Sequence, residues 1–125
     1  MRLVLTLLLA FAANPAWAEW LKASENDAVV FYVDPMSLRT VGTFRRVWEL
    51  QDLRSRDLDG ELSRRSFIEY DCAGQRYRVL SSSAHSGPMA TGEVIANISD
   101  PDPDAWDHAP LKSVAETLLA LVCRW

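Results

Sequence analysis

Phe67-Ile-Glu-Tyr-Asp-Cys-Ala-Gly-Gln-Arg-Tyr-Arg-Val-Leu80 decides the fold. Turned back on itself at Ala73-Gly74, the stretch opposes Asp71 to Arg76, Tyr70 to Tyr77, Glu69 to Arg78, Ile68 to Val79 and Phe67 to Leu80. Charge meets opposite charge, ring meets ring and aliphatic meets aliphatic, as directly opposed residues of an antiparallel pair require. Side chains alternate faces along a strand, so Cys72, Tyr70, Ile68, Tyr77 and Val79 share one side, expected to be the core side. Glu69 and Asp71 then fall on the outer side, expected as exposed ion pairs that stabilise little. This register puts Ala73 at the centre of a tight turn, where positive φ costs an L-residue roughly 1 kcal/mol. A one-residue bulge at Gly74 would relieve that cost and shift the pairing; the chemically matched register is preferred.

Outward from this hairpin the chain reads as further strands. Trp20–Ala23 is a short one, ended by the polar cluster Ser24-Glu25-Asn26-Asp27. Val29–Asp34 alternates β-branched and aromatic residues, and Asp34-Pro35-Met36-Ser37 is expected to stop it because Pro lacks a ladder donor. Thr43–Leu53 is a long strand with Phe44, Trp48 and Leu50 on one face, where Arg46 interrupts the apolar pattern. Arg54–Gly60 is a charged loop, Glu61–Cys72 and Gln75–Ser83 are the hairpin arms, and Gly92–Ile98 is a last strand. Alternating prolines make Asp100–Asp104 an extended loop. Ser113-Val-Ala-Glu116 has capping-box spacing, and Val114, Leu118, Leu119, Leu121 and Val122 form the apolar face of a terminal helix. Strands first and one helix last predict an α+β domain: an antiparallel meander of about six strands with the C-terminal helix on one face.

The start of the chain reads differently. Arg2, the apolar run Leu3–Ala13 and the small–bulky–small Ala16-Trp17-Ala18 describe a secretory signal, residues 1–18, with cleavage before Glu19. The apolar run falls short of the roughly 20 residues a membrane-spanning helix needs, and no later stretch could span. Residues 19–125 remain as a single domain, exported to the periplasm, the cell surface or the medium. Losing Arg2 moves the formal charge from -4 to -5, which disfavours nucleic acid and anionic membrane as partners. Two cysteines in an exported chain pair most often. Cys72 is on the core side of the hairpin and Cys123 flanks the apolar face of the helix, so the two can meet between sheet and helix. Closing that loop would stabilise by about 4 kcal/mol; two separate buried thiols are the other reading.

Chemical motifs are sparse. Asp100, Asp102 and Asp104 imitate a calcium loop, but its sixth and twelfth positions hold Ala105 and Leu111 where Gly and Glu are needed. His85 and His108 lack zinc-ligand spacing, and His85 among serines has no Gly-x-Ser-x-Gly elbow around it. Asn97-Ile98-Ser99 matches a glycosylation sequon that occurs readily by chance. No cofactor and no catalytic residue are expected; the enzyme alternative is a small hydrolase using His85 or His108. What stands out is Trp48, Trp106, Trp125, Tyr32, Phe67, Arg45, Arg46, Arg64 and Arg65, residue types enriched at protein-binding hot spots.

Taken in order, Trp20, Phe31-Tyr-Val-Asp-Pro-Met-Ser-Leu-Arg39, Arg46-Val-Trp-Glu-Leu-Gln-Asp52, Glu69-Tyr-Asp-Cys72, Tyr77-Arg-Val-Leu80, Ser86-Gly-Pro-Met89 and Leu121-Val-Cys123 resemble the surface-adhesin protein E family of Gram-negative bacteria. The resemblance covers nearly the whole of residues 19–125. It implies a sheet with a C-terminal helix, a Cys72–Cys123 link, no cofactor and no catalysis. It also implies protein partners, such as host matrix or plasma proteins, for a chain that reaches the surface. The family's founding member is lipid-anchored, whereas here Glu19 and no cysteine follows the expected cleavage site. A soluble periplasmic accessory or structural protein is the alternative. The unpaired strand edges could also take a partner strand or a second copy of the chain.

Overall fold

A computed structural model describes residues 19–99, 102 and 104–125; the expected signal, residues 1–18, and Asp100, Pro101 and Pro103 of the expected extended loop lie outside the described residues. Its elements are β1 (Leu21–Glu25), β2 (Val29–Val41), β3 (Phe44–Leu53), β4 (Ser63–Asp71), β5 (Arg76–His85), β6 (Val94–Ser99), β7 (Asp107–His108) and α1 (Val114–Arg124). Strands β1 to β6 pair in sequence order as an antiparallel meander. β6 pairs with β5 from Ser81 to His85, and β7 with Arg76 and Tyr77 farther along the same strand. α1 packs across β1, β3 and β4. Val33, Val47, Ile68 and Tyr70 from the sheet meet Leu118, Leu119 and Val122 of the helix in the core.

The helix begins where its cap lies: Ser113 Oγ accepts the Glu116 amide at 3.1 Å. Its far end is tied to the sheet by Arg45, whose Nη1 donates to the Val122 carbonyl at 2.9 Å and to the Trp125 carbonyl. A cation there complements both the unmade carbonyl bonds and the helix dipole. Beside it Cys72 and Cys123 are joined, their Cα atoms 5.8 Å apart. Among the described residues no helix is long and apolar enough to cross a membrane.

The hairpin keeps four of the five expected pairs, from Asp71–Arg76 to Ile68–Val79. The fifth differs: a bulge follows, and Phe67 faces Ser81 rather than Leu80. The connection is longer than the tight turn assumed, and Gln75, not Ala73, takes positive φ (53°). Gly74 is needed for space. A Cβ there would lie 2.5 Å from Asp71 Oδ2, the carboxylate whose other oxygen accepts the Gly74 amide.

Two further expectations change. β2 does not stop at Asp34 but runs on to Val41, with an irregularity between Asp34 and Arg39. Local side chains replace the missing ladder there: Asp34 Oδ1 accepts the Met36 amide, and Ser37 Oγ donates to the Asp34 carbonyl while accepting the Trp48 amide. Second, Glu69 (0 % exposed) and Asp71 (7 %) are buried, not outer-face pairs in solvent. The face opposite α1 carries its own layer of side chains.

Candidate binding surface

That layer is built from β3, β4, β5 and the segment leading into β7. The alternation that sends Val47, Ile68 and Tyr70 to the helix sends Phe44, Arg46 and Trp48, Phe67 and Glu69, and Arg76 and Arg78 to the other side. Trp106 reaches back over them. Its ring centroid is 5.3 Å from that of Phe44, and the Arg76 and Arg78 guanidinium carbons lie 4.4 and 4.3 Å from the ring centre. Each such contact contributes about 0.5–2 kcal/mol, more where water is excluded.

Glu69 is the hub beneath this lid. It accepts from Arg46 Nε at 2.6 Å on one oxygen, and from Arg78 Nε and Nη2 at 2.9 and 2.6 Å on the other. Asp71 pairs with Arg76 Nε at 2.8 Å, and that bond, with the Gly74 amide, holds its carboxyl below the usual carboxylate range. Next along the face, Trp48 stacks on Phe67 with centroids 4.9 Å apart, and Arg65 lies 3.8 Å from the Trp48 ring centre. These rings and guanidinium groups are half-buried and continuous. Arg46, Arg65, Arg76 and Arg78 share the patch with Glu69 and Asp71, and Asp34 joins them opposite Trp48, so it is rich in charge of both signs.

The structure therefore gathers Trp48, Trp106, Phe67, Arg46 and Arg65 from the residues singled out in the sequence, with Tyr32 on the same face by register. It separates the others. Arg45 and Trp125 serve the helix end, and Arg64, on the helix side, is held by Glu61. Phe44, Arg76 and Arg78 were missed as contributors; the Arg-x-Arg alternation on β5 opposite Glu69 and Asp71 was the available signal.

His85 and His108 sit near opposite ends of β5 and do not meet. His85 Nε2 is 2.8 Å from Ser83 Oγ, and burial, followed by the charge of Arg65, pushes its imidazole below the usual histidine range. Glu61, the nearby acid, is engaged by Arg64 through both oxygens.

A buried carboxyl lies on the helix side. Glu49 is 8 % exposed, and its two oxygens accept from the Tyr70 hydroxyl at 2.9 and 2.6 Å. Burial pushes its carboxyl up to about 7, against an opposing pull from that hydroxyl. The folded chain thus holds the proton more tightly than the unfolded chain, whose carboxyl titrates near 4.5. The stabilisation from this proton is full below about 4.5 and is lost as pH rises through about 7. Glu49→Gln keeps an acceptor for Tyr70 without the charge. Urea denaturation is expected to show the variant gaining on wild type between pH 5 and pH 8 by on the order of 3 kcal/mol. A difference independent of pH would refute this account.

The chain's likeness to known proteins agrees with its architecture. The selenomethionine form of Haemophilus influenzae protein E superposes with a TM-score of 0.58 at 10% identity, covering 82% of this chain and 90% of that one. Crystal form II of the same protein gives 0.55 at 10% identity, covering 83% and 96%. At such identity the likeness speaks for the fold alone. No curated protein matches in sequence. The family profile described as surface-adhesin protein E, however, matches residues 20–124, and the chain belongs to that family.

Proposed function

We propose that the chain is an exported, non-enzymatic, adhesin-like module that binds a protein partner through the face carrying Trp48, Phe67, Trp106 and the arginines around them. The observation behind this reading is a continuous, half-exposed layer of aromatic rings and arginines on the side the helix leaves open. A small domain needs only one covered face to bury its core, so ordered tryptophans and arginines on the second face are available for contact. Aromatic and Arg anchors dominate binding energy when a partner excludes water from them. Host matrix or plasma glycoproteins are the class of partner that membership of the family suggests.

Export with cleavage between Ala18 and Glu19 is part of the proposal; N-terminal sequencing of the mature protein tests it. Location and binding are read together by protease shaving of intact cells and by titration of the protein onto immobilised matrix and plasma glycoproteins. Surface-accessible protein is expected to bind saturably, and Arg65→Ala with Trp106→Ala to weaken binding at least tenfold. Protein shielded until the outer membrane is opened would remove the adhesive role and leave a periplasmic accessory protein. The Ser83–His85 contact favours one other reading, a small hydrolase. Turnover on a broad ester and amide panel, lost in His85→Ala, would establish it in place of the binding module.

A further inference from the structure

We propose that the cavity between α1 and the helix-side face of β3 to β5 is a binding site for an aliphatic primary ammonium group, with the Glu49 carboxylate as its counter-ion. The cavity measures about 420 Å³, within the range of small-molecule sites. Phe31, Ile68, Val79, Val114 and Leu118 give it apolar walls, with Gln51, Ser66 and Ser82 among them. Glu49 and Tyr70 also line it, and Asp107, on an exposed strand, adds a second carboxylate.

Three facts select the ligand. A carboxylate can accept at about four positions, yet among the described residues Glu49 receives a single neutral hydroxyl, that of Tyr70. Buried charges are otherwise paired, and the open volume beside Glu49 is where a partner cation could stand. Arg64, the one basic residue lining the cavity among the described residues, cannot fill that role as it stands, because its Nε and Nη2 are 2.7 and 2.9 Å from the two oxygens of Glu61. A divalent metal is a poor alternative: among the described residues no three His, Cys, Asp or Glu side chains are grouped to hold one, and hard cations take six or more oxygen ligands. An ammonium head on a short aliphatic chain suits both the carboxylate and the walls. It explains why Val79, placed on the core side by alternation, remains 40 % exposed.

Charged and titratable groups reach the cavity from β3 (Glu49), β4 (Arg64, Tyr70), β5 (Tyr77) and β7 (Asp107); β2 and α1 contribute apolar side chains. The hydroxyls of Tyr70 and Tyr77 are both raised above the usual tyrosine value by burial, reinforced by nearby carboxylates, and stay protonated. Glu49 is therefore the group in the cavity that changes charge near neutrality, and ammonium binding should follow its ionisation.

The test is calorimetric titration of the full chain with n-pentylamine, with n-pentanol as the neutral isostere. Pentylamine is expected to bind about tenfold more tightly at pH 8 than at pH 6, and pentanol equally at both. Glu49→Gln should abolish the preference for amine while pentanol still binds, which also reports an intact cavity. Ala115→Phe, filling the cavity from the helix, should abolish both. Nα-acetyl-lysine methylamide separates the sources of the ammonium: its binding in the same Glu49-dependent manner assigns a lysine side chain, and pentylamine binding alone assigns a free amine. No binding of either amine, or equal binding of amine and alcohol by wild type, would overturn the proposal.

Discussion

Replacing Cys72 and Cys123 together by serine is expected to lower stability by about 4 kcal/mol. The bond joins residues 51 apart in sequence, and chain-entropy arguments give that figure for a loop of such length. A domain of this size has only about 5–15 kcal/mol in total, so its melting temperature should fall by roughly 15–30 °C. The position adds to the effect, because Cys123 lies in the last turn of α1, the turn Arg45 also ties down. Without the bond, the helix end depends on Arg45 and the Leu118, Leu119 and Val122 contacts. Peptide mapping of exported protein without reductant should recover Cys72 and Cys123 linked. Two free thiols, or a double variant melting within a few degrees of wild type, would remove the bond from the account.

Much of the sheet is legible in the sequence because adjacent strands leave matched chemistry at fixed intervals. Asp71–Arg76, Tyr70–Tyr77 and Glu69–Arg78 fix a register that the structure retains, and Ser113 marks the helix start through a bond it makes. What escapes is whatever depends on groups that alternation does not describe. β2 passes Pro35 because Asp34 and Ser37 side chains stand in for backbone partners, a substitution visible only in three dimensions. β7 is two residues long and carries no period. The loop containing Ser86-Gly-Pro-Met89 reads as ordinary turn sequence. Yet the Gly87 carbonyl accepts from Ser63 Oγ, which accepts the Ala90 amide, while the Met89 amide donates to Asp52. That docking gives the motif a structural role.

The binding surface was half legible. Composition flagged tryptophan and arginine, and strand parity could have sorted Arg46 and Arg65 from Arg45 and Arg64. It could not show that Trp106, far along the chain, returns over Phe44 of β3 and over Arg76 and Arg78 of β5. For the same reason Glu49 passed unremarked: a lone acid in a strand reads as surface until the helix lies across it.

Glu69→Ala should cost about 3 kcal/mol. The side chain has 0% exposure, and it accepts from two arginines whose own side chains are 34% and 16% exposed. Removing the shared carboxylate takes it from both half-buried guanidinium groups, and breaking a buried pair from one side costs about 3–5 kcal/mol. The lower figure applies because Arg46 is exposed enough to turn partly into water. Glu69→Gln, which keeps an acceptor but not the charge, should lose less. The discriminating variant is Glu69→Leu combined with Arg46→Met and Arg78→Met: exchanging a buried ionic group for apolar volume is often neutral or stabilising, so stability should return towards wild type. The same variant should still lose partner binding if the arginine layer is the contact surface, which separates the layer's structural role from its recognition role. A cost below about 1 kcal/mol for Glu69→Ala, the figure for an exposed pair, would return Glu69 to the solvent-facing role its place in the hairpin first suggests.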